Sequence, residues 1–187
     1  MDRVVKRIIK EVKKGDQQAF GELVELYKDK VYQLSYRMLG NAHEAEDISQ
    51  EAFLRAFSNL DSYDTKRKFS TWLFRIATNL AIDRLRKKKP DYHLEDKVTG
   101  TEGLTLLSQI AVDQALPEEE VLTHELQEWI QKEIACLPIK YRSAIILKYI
   151  EDLSLKEISE ILDLPVATVK TRVHRGREAL RKRLRNV

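Results

Sequence analysis

Between Asn41 and Lys89 two apolar stripes at helical spacing flank a run of turn-forming residues, Leu60-Asp61-Ser62-Tyr63-Asp64-Thr65-Lys66-Arg67-Lys68. A helix–loop–helix accommodates that pattern. Ala45, Ile48, Ala52, Ala56 and Phe57 form the predicted buried side of the first helix, which runs from Ala42 to about Leu60. Asn41 followed by Glu44 resembles a capping box, with Asn in place of Ser or Thr. Asp47, Gln50, Glu51 and Leu54 stand at i, i+3, i+4 and i+7 and share another face. That face is either an ordinary solvated one or a row that pairs with Lys and Arg of a partner. In the second helix Leu73, Ile76, Ala77, Leu80 and Leu85 point to the core, Ser70 is placed to cap the start, and Pro90 sets the end. Trp72 is open to two readings, core residue or stacking platform. The helix finishes in Arg84-Leu85-Arg86-Lys87-Lys88-Lys89. Aromatic rings beside positive charge are what is needed to hold unpaired bases next to a phosphate backbone.

Upstream, Val4, Ile8 and Val12, with Val5 and Ile9 beside them, predict a helix over Arg3 to Lys14. Gly15 suits its stop and Asp16 the next N-cap. A longer helix follows, from about Gln17 to Leu39, with Phe20, Leu23, Val24, Tyr27, Val31 and Leu34 inward and Gly40 at its end. These two helices read as scaffold. Residues 90–117 show no strong period, are interrupted by Gly100 and Gly103, and carry Asp91, Glu95, Asp96, Glu102 and Asp113 against Lys97. Leu104, Leu106, Leu107 and Ile110 offer at most a short helix. The segment reads as an acidic tether.

A second domain begins at Pro117, with Glu118, Glu119 and Glu120 in the first helical turn, where carboxylates favour the helix dipole. Leu122, Leu126, Ile130 and Ile134 form its stripe, joined by Trp129, and Leu137-Pro138 breaks it. Cys136, lone in the chain and set in an apolar run, reads as a small buried residue. The next helix spans about Ile139 to Ile150, with Ile145, Ile146 and Tyr149. Ser154-Leu155-Lys156-Glu157 is a capping box opening a short helix with Ile158, Ile161 and Leu162 apolar. Asp163-Leu164-Pro165 makes a tight turn before a basic helix from Val166 to about Arg185. That order is the pattern of a helix-turn-helix, with a plain helical hairpin as the alternative. Sorted at 100° per residue, Val166, Val169, Val173, Leu180 and Leu184 face inward, Thr168, Thr171, His174 and Arg175 face roughly opposite, and Lys170 and Arg172 flank them. Such a face suits the major groove of DNA.

Few Gly and Pro and many Leu, Ile, Lys, Arg and Glu favour an all-α chain of two small domains. The net charge of +3 conceals two basic clusters, one at 83–89 and one at 166–187, on either side of the acidic tether. No apolar run approaches the roughly 20 residues that span a bilayer, and no signal-peptide core opens the chain, so a cytoplasmic protein is expected. The four histidines lack metal-ligand spacing, and no nucleophile stands with activating partners. The expectation is a chain without metal, cofactor, small-molecule substrate or catalysis of its own.

At these residues a family resemblance enters. Asp47-Ile48-Ser49-Gln50-Glu51-Ala52-Phe53 resembles the polymerase-binding motif of bacterial sigma factors, and Lys68-Phe69-Ser70-Thr71-Trp72-Leu73-Phe74-Arg75-Ile76-Ala77 resembles the neighbouring segment that melts and reads the −10 element. The compact length is similar to the extracytoplasmic function (ECF) group, closest to its sigma-W type in bacilli. The resemblance implies three parts: sigma domain 2 at 1–90, a linker at 91–117 that threads polymerase channels, and sigma domain 4 at 118–187. It implies that Asp47, Gln50, Glu51 and Leu54 meet the β′ clamp of core RNA polymerase, with the β subunit a further contact. For the −10 element and single-stranded DNA it implies Ser62, Tyr63, Lys66, Arg67, Lys68, Trp72, Arg75, Arg84, Arg86 and Lys87. The 61–68 loop would receive a flipped base, Trp72 would stack at the upstream edge of the bubble, and Arg84 and Arg86 to Lys89 would meet phosphates. Thr168, Lys170, Thr171, His174 and Arg175 would read the −35 element, with Arg172 and Arg177 on phosphates. Flipping a base costs a few kcal/mol and stacking returns roughly 1–3 kcal/mol, so such a domain melts DNA only together with polymerase. The resemblance further implies a membrane-anchored anti-sigma factor that masks both domains until envelope stress, so the chain would be nucleoid-associated when active and held at the inner face of the membrane when not. The rival reading is an autonomous helix-turn-helix regulator, binding duplex DNA alone, usually as a dimer on a palindrome.

Overall fold

The computed structural model describes residues 2–88 and 117–185, the side chains of 3–88 and 126–185 among them. The tether lies outside the described residues, as does Lys89. Among the described residues regular structure is wholly helical: α1 (Asp2–Lys13), α2 (Ala19–Leu39), α3 (Ala42–Ser58), a 3-10 turn (Leu60–Ser62), α4 (Phe69–Lys88), α5 (Pro117–Ala135), α6 (Ile139–Ile145) running into a π turn (Ile146–Ile150), α7 (Leu155–Leu162) and α8 (Val166–Arg185). The all-α expectation holds.

In the N-terminal bundle α2 is the centre, packed against α1, α3 and α4. Phe20, Leu23, Tyr27, Val31 and Leu34 of α2 are buried, and Val24 is half-buried. Val5, Ile8 and Ile9 carry α1 onto it, whereas Val4 stands at the rim of that stripe, 46% exposed. Phe57, expected inside, is 39% exposed and sets its ring edge-on to Phe20 at 5.1 Å. Asp16 does cap, its Oδ1 accepting from the N–H groups of Gln18 and Ala19 at 3.1 and 3.2 Å, ahead of a helix that runs from Ala19. Gly40 ends α2 at φ 68°, where L side chains are strained, and its N–H bonds the Tyr36 carbonyl. The second helix of the central pair starts at Phe69, so Ser70 lies inside the first turn rather than capping it.

The C-terminal domain closes on this bundle. α7 lies along α4, and α5 and the π turn reach α2. Two side chains finish the C-terminus of α2: Gln131 Nε2 donates to the Arg37 carbonyl at 2.9 Å, and Arg142 Nη1 donates to that of Met38 at 3.0 Å. Nη2 of Arg142 donates to the carbonyls of Ala135 and Leu137, so one buried cation ties the ends of two helices. Burial works against its charge and lowers its pKa. Cys136, expected inside, is exposed. It closes the last turn of α5, and Leu137, 2% exposed, takes the inward place. Leu126 is likewise 43% exposed, while Ile130 and Ile134 keep the stripe buried. The helix expected to run evenly from Ile139 to Ile150 widens at Ile146, where Glu151 N–H reaches back to the Ile146 carbonyl at 3.0 Å. The widened turn begins within a run of three fully buried residues, Ile145, Ile146 and Leu147.

Candidate nucleic-acid interface

The acidic face of α3 is built as its spacing implies. Asp47, Gln50 and Leu54 are exposed, Leu54 by 64%, and Glu51 is half-buried. Partners come from within the helix: His43 Nδ1 lies 3.4 Å from Asp47, Gln50 Nε2 donates to Glu46, and Arg55 Nε donates to Glu51 at 2.7 Å. An exposed leucine at the C-terminal end of the polar row gives the face an apolar contact. Asn41 Oδ1 accepts from Glu44 N–H at 2.9 Å, the first half of a capping box. The second half is missing, because the Glu44 carboxylate turns to Lys88 Nζ at 2.6 Å and Arg84 Nη1 at 3.4 Å. The hydrogen bond from Lys88 is the main force holding the Glu44 carboxyl below its ordinary pKa.

The 61–68 loop has a defined shape. Asp64 Oδ1 accepts from Lys66 N–H at 2.9 Å, an Asx turn, and Ser62 Oγ donates to the Asn59 carbonyl at 2.7 Å. Tyr63, assigned by resemblance to the DNA-facing set, is 4% exposed. Its hydroxyl donates to the Arg67 carbonyl, clasping the loop from beneath. Its ring packs on Phe69 at 5.5 Å and on Trp72 at 5.1 Å, and Phe69 meets Trp72 at 5.7 Å. Burial therefore gives Tyr63 a shaping task and removes it from direct contact. Ser62, Lys66, Arg67 and Lys68 are exposed above it. Trp72 is half-buried: it packs on Tyr63 and Phe69 and keeps part of its surface open.

Basic residues of this surface divide by partner. Lys68 Nζ meets Glu157 of α7 at 2.7 Å and Arg75 Nη2 meets Asp163 at 3.2 Å, so the C-terminal domain occupies both. Arg84 is held by Glu44. Arg86 lies 3.9 Å from Asp83 within its own helix, and Lys87 is exposed.

The helix-turn-helix pattern is realised by α7 and α8. Ser154 and Glu157 close both halves of their capping box. Asp163 ends α7 at φ 55° in the left-handed region, and Ser159 Oγ donates to the Leu164 carbonyl across the turn. Val169, Val173 and Leu180 are buried, whereas Val166, expected with them, is 46% exposed at the very start of α8. Gly176 lets α6 approach: a Cβ there would stand 2.7 Å from Ile145 Cγ1. Opposite, Lys170, Thr171, His174 and Arg175 are exposed, and Thr168, Arg172 and Arg177 are half-buried. Burial lowers the pKa of Arg172, and the charge of nearby Arg86 adds to that. The two basic clusters of the sequence thus approach each other in this arrangement.

Sequence reasoning passes over two sets of residues. Glu157 and Asp163 are legible as a cap and a turn but not as partners of Lys68 and Arg75. The basic side of α1 is also missed, although the 100° sorting applied to α8 reveals it.

Comparison with known proteins follows the same division. Residues 23–90 match the family model described as Sigma-70 region 2, and residues 127–180 that of Sigma-70, region 4. The chain is 65% identical over 187 residues, all of both chains, to the ECF RNA polymerase sigma factor SigW of Bacillus subtilis (strain 168). Among solved structures, CnrH in complex with the cytosolic domain of CnrY shares the fold at TM-score 0.69 and 23% identity, over 98% of each chain. The sigma factor RpoE in complex with the anti-sigma factor NepR from Bartonella quintana does so at TM-score 0.62 and 20% identity, over 89% of this chain and 96% of that one.

Proposed function

Since the chain belongs to the ECF RNA polymerase sigma factors, we propose that it binds core RNA polymerase and directs it to a small set of promoters, as an initiation factor without catalysis of its own. The observation that carries this is full-length identity of 65% to a sigma factor, with the acidic α3 face and the α8 face both exposed. In this reading Asp47, Gln50, Glu51 and Leu54 dock on the β′ clamp. Lys66, Arg67 and Trp72 take the opened −10 strand, with Lys68 and Arg75 joining them once α7 leaves. Lys170, Thr171, His174 and Arg175 read the −35 element, and Arg172 and Arg177 hold phosphates.

A mechanical consequence follows. The −35 and −10 elements lie about 25 base pairs apart, on the order of 85 Å at 3.4 Å per pair. With α7 against α4, the two reading surfaces cannot span that distance, so promoter engagement requires the domains to part. Residues 91–117 are the tether in this reading. The closed form is the one an anti-sigma factor would favour, and a membrane-anchored one is proposed here. No described helix is long and apolar enough to cross a membrane, and a cytoplasmic, nucleoid-associated active form belongs to the same reading.

Run-off transcription with core polymerase on a pool of genomic promoter fragments tests it. New transcripts from fixed sites, dependent on this protein, are expected. Tight duplex binding without polymerase, with no transcripts and no co-elution with core, would establish the autonomous regulator instead.

A further inference from the structure

α1 carries its cations on one side. At 100° per residue Arg3, Lys6, Arg7, Lys10 and Lys13 fall within about 120° of arc, Lys14 follows directly, and Val5, Ile8, Ile9 and Val12 occupy the opposite, packed side. The helix lies outside the matched region, which begins at residue 23. It is nevertheless fastened to the 61–68 loop. Lys13 Nζ donates to the backbone carbonyls of Asp61 and Tyr63 at 3.4 and 3.5 Å. Between helix and loop runs a cleft of about 400 Å³ lined by Lys6, Ile9, Lys10, Lys13, Lys14 and Thr65.

Within that cleft Lys6, Lys10 and Lys14 are exposed and have no ion pair among the described residues. Arg7, by contrast, has Glu11 at 3.9 Å, and Arg75, Arg84, Arg86 and Lys88 of α4 are answered by Asp163, Glu44 and Asp83. Lys6, Lys10 and Lys14 recur every four residues, about 6 Å along the helix axis, the scale on which phosphates repeat along an extended strand. Thr65, on the loop itself, places a hydroxyl where a phosphate oxygen could accept from it. No carboxylate lines the cleft. Three unanswered lysines and a hydroxyl, side by side on a rigid wall, form a track for a polyanion.

We propose that this cleft binds the phosphodiester backbone of the single DNA strand as it leaves the 61–68 loop on its downstream side. The proposal rests on the reading that the loop receives an extruded base, and it adds a second wall for the strand. α4 leaves the loop at Phe69 and α1 meets it through Lys13, so the strand would pass from the exposed cations of the loop, Lys66 and Arg67, to those of α1. The contact is to phosphate and carries no base preference.

The test uses holoenzyme reconstituted with core polymerase and fork-junction DNA built on a promoter mapped by run-off transcription. One fork ends its non-template strand at the extruded base, and the other extends it by about eight nucleotides, within the footprint of a single-strand site. Wild-type holoenzyme should bind the longer fork more tightly, and the triple variant K6A/K10A/K14A should lose that advantage while binding the short fork normally. On the longer fork the triple variant should reduce the slope of log K against log salt by about 2, at roughly 0.7 per phosphate for single strands. K6R/K10R/K14R should keep the advantage, which separates charge from packing, and an unchanged melting curve of the alanine variant would establish that α1 still folds. An advantage retained by the alanine variant, equal losses on both forks, or no wild-type advantage would each overturn the α1 site. Binding of the wild type to vesicles of anionic phospholipid, with fork binding indifferent to the lysines, would assign the surface to a membrane instead. Failure of wild-type holoenzyme to bind either fork would overturn the loop reading itself.

Discussion

Lys68 and Glu157 stand 89 residues apart in the chain and 2.7 Å apart in space. With Arg75 and Asp163 at 3.2 Å, they fasten α7 to α4 across the two domains. Both cations belong to the surface proposed to take the −10 strand, so the closed form and DNA compete for the same charges. The Glu157 carboxyl is held at about 2, first by the hydrogen bond from Lys68 and then by those of Ser154. A lowered folded pKa means that the contribution is complete above the ordinary 4.5 and is lost as pH falls from there through about 2. The clasp is therefore at full strength at neutral pH.

Glu157→Gln should separate the two tasks of this residue. Glutamine still completes a capping box, so α7 should keep its helix, while the charge offered to Lys68 is gone. Energy transfer between labels on α3 and α8 should report a larger open fraction for E157Q than for wild type at pH 7. The difference should shrink as pH drops below about 4. Equal transfer efficiencies in the two proteins would remove the pair from control of the closed form.

Glu151 works in the opposite direction. It follows the π turn, and burial raises its pKa despite the charges of Arg37 and Lys30 on α2. A raised folded pKa contributes stability below the ordinary 4.5 that is lost as pH rises through the folded value. At neutral pH the ionised carboxylate therefore opposes packing against α2. Glu151→Gln should melt higher than wild type at pH 7.5 and nearly with it at pH 4. A variant that melts lower at both would mean that Arg37 and Lys30 compensate the burial fully.

Gly176 is needed for contact between α6 and α8. A methyl group there would meet Ile145 Cγ1 at 2.7 Å and Tyr141 Cβ at 3.3 Å, and Ile145 is fully buried with no room to retreat. Gly176→Ala gains helix propensity of roughly 1 kcal/mol. Overpacking of about 1–3 kcal/mol should exceed it. Net destabilisation in urea is the expected outcome, and a stabilised variant would show that α8 moves out without cost.

Helices were legible wherever an apolar stripe repeats at 3.6 residues, because burial of one face is a local property of sequence. What sits at the rim of a stripe was not. Val4, Phe57, Leu126 and Val166 carry the right side chain at the right phase, yet the neighbouring helix does not extend over them. Cys136 reads as apolar company for Ile134 and Leu137, but the chain turns there and only Leu137 follows inward. The Asn41 box stays half-closed because Glu44 finds Lys88 and Arg84 some forty residues later, and no local rule sees that far. The faces of α3 and α8 could be sorted by angle, whereas the pairs Lys68–Glu157 and Arg75–Asp163 exist only once two domains meet. Burial of Tyr63 follows from the aromatic cluster formed with Phe69 and Trp72 and was hidden inside a polar loop.

Arg175 is exposed on the face of α8 opposite Val169 and Val173 and shares it with Lys170, Thr171 and His174. If its guanidinium reads a guanine in the −35 element, Arg175→Ala should relax preference at one base pair and cost about 1–3 kcal/mol there. Transcription from promoters randomised at each −35 position measures this. A uniform loss at every sequence would make Arg175 a phosphate contact.

The α3 face offers the sharpest separation between fold and function. Glu51 already pairs with Arg55, and Asp47 has His43 at 3.4 Å, a pair only when the imidazole is protonated; both are i,i+4 contacts at the surface of α3. Such pairs contribute about 0.3–0.5 kcal/mol each, so replacing them should leave the melting curve almost unmoved. A basic partner surface would respond differently, since reversal turns attraction into repulsion at two points. Asp47→Lys with Glu51→Lys should weaken core polymerase binding by about a hundredfold, at roughly 1.4 kcal/mol per point and tenfold for each. The loss should diminish in high salt, where exposed charges are screened. Leu54→Ala removes the apolar end of the row without touching charge, so its loss of affinity should persist at high salt. Wild-type affinity in both variants, with the fold intact, would remove α3 from the polymerase interface and leave its acidic row a solvated surface.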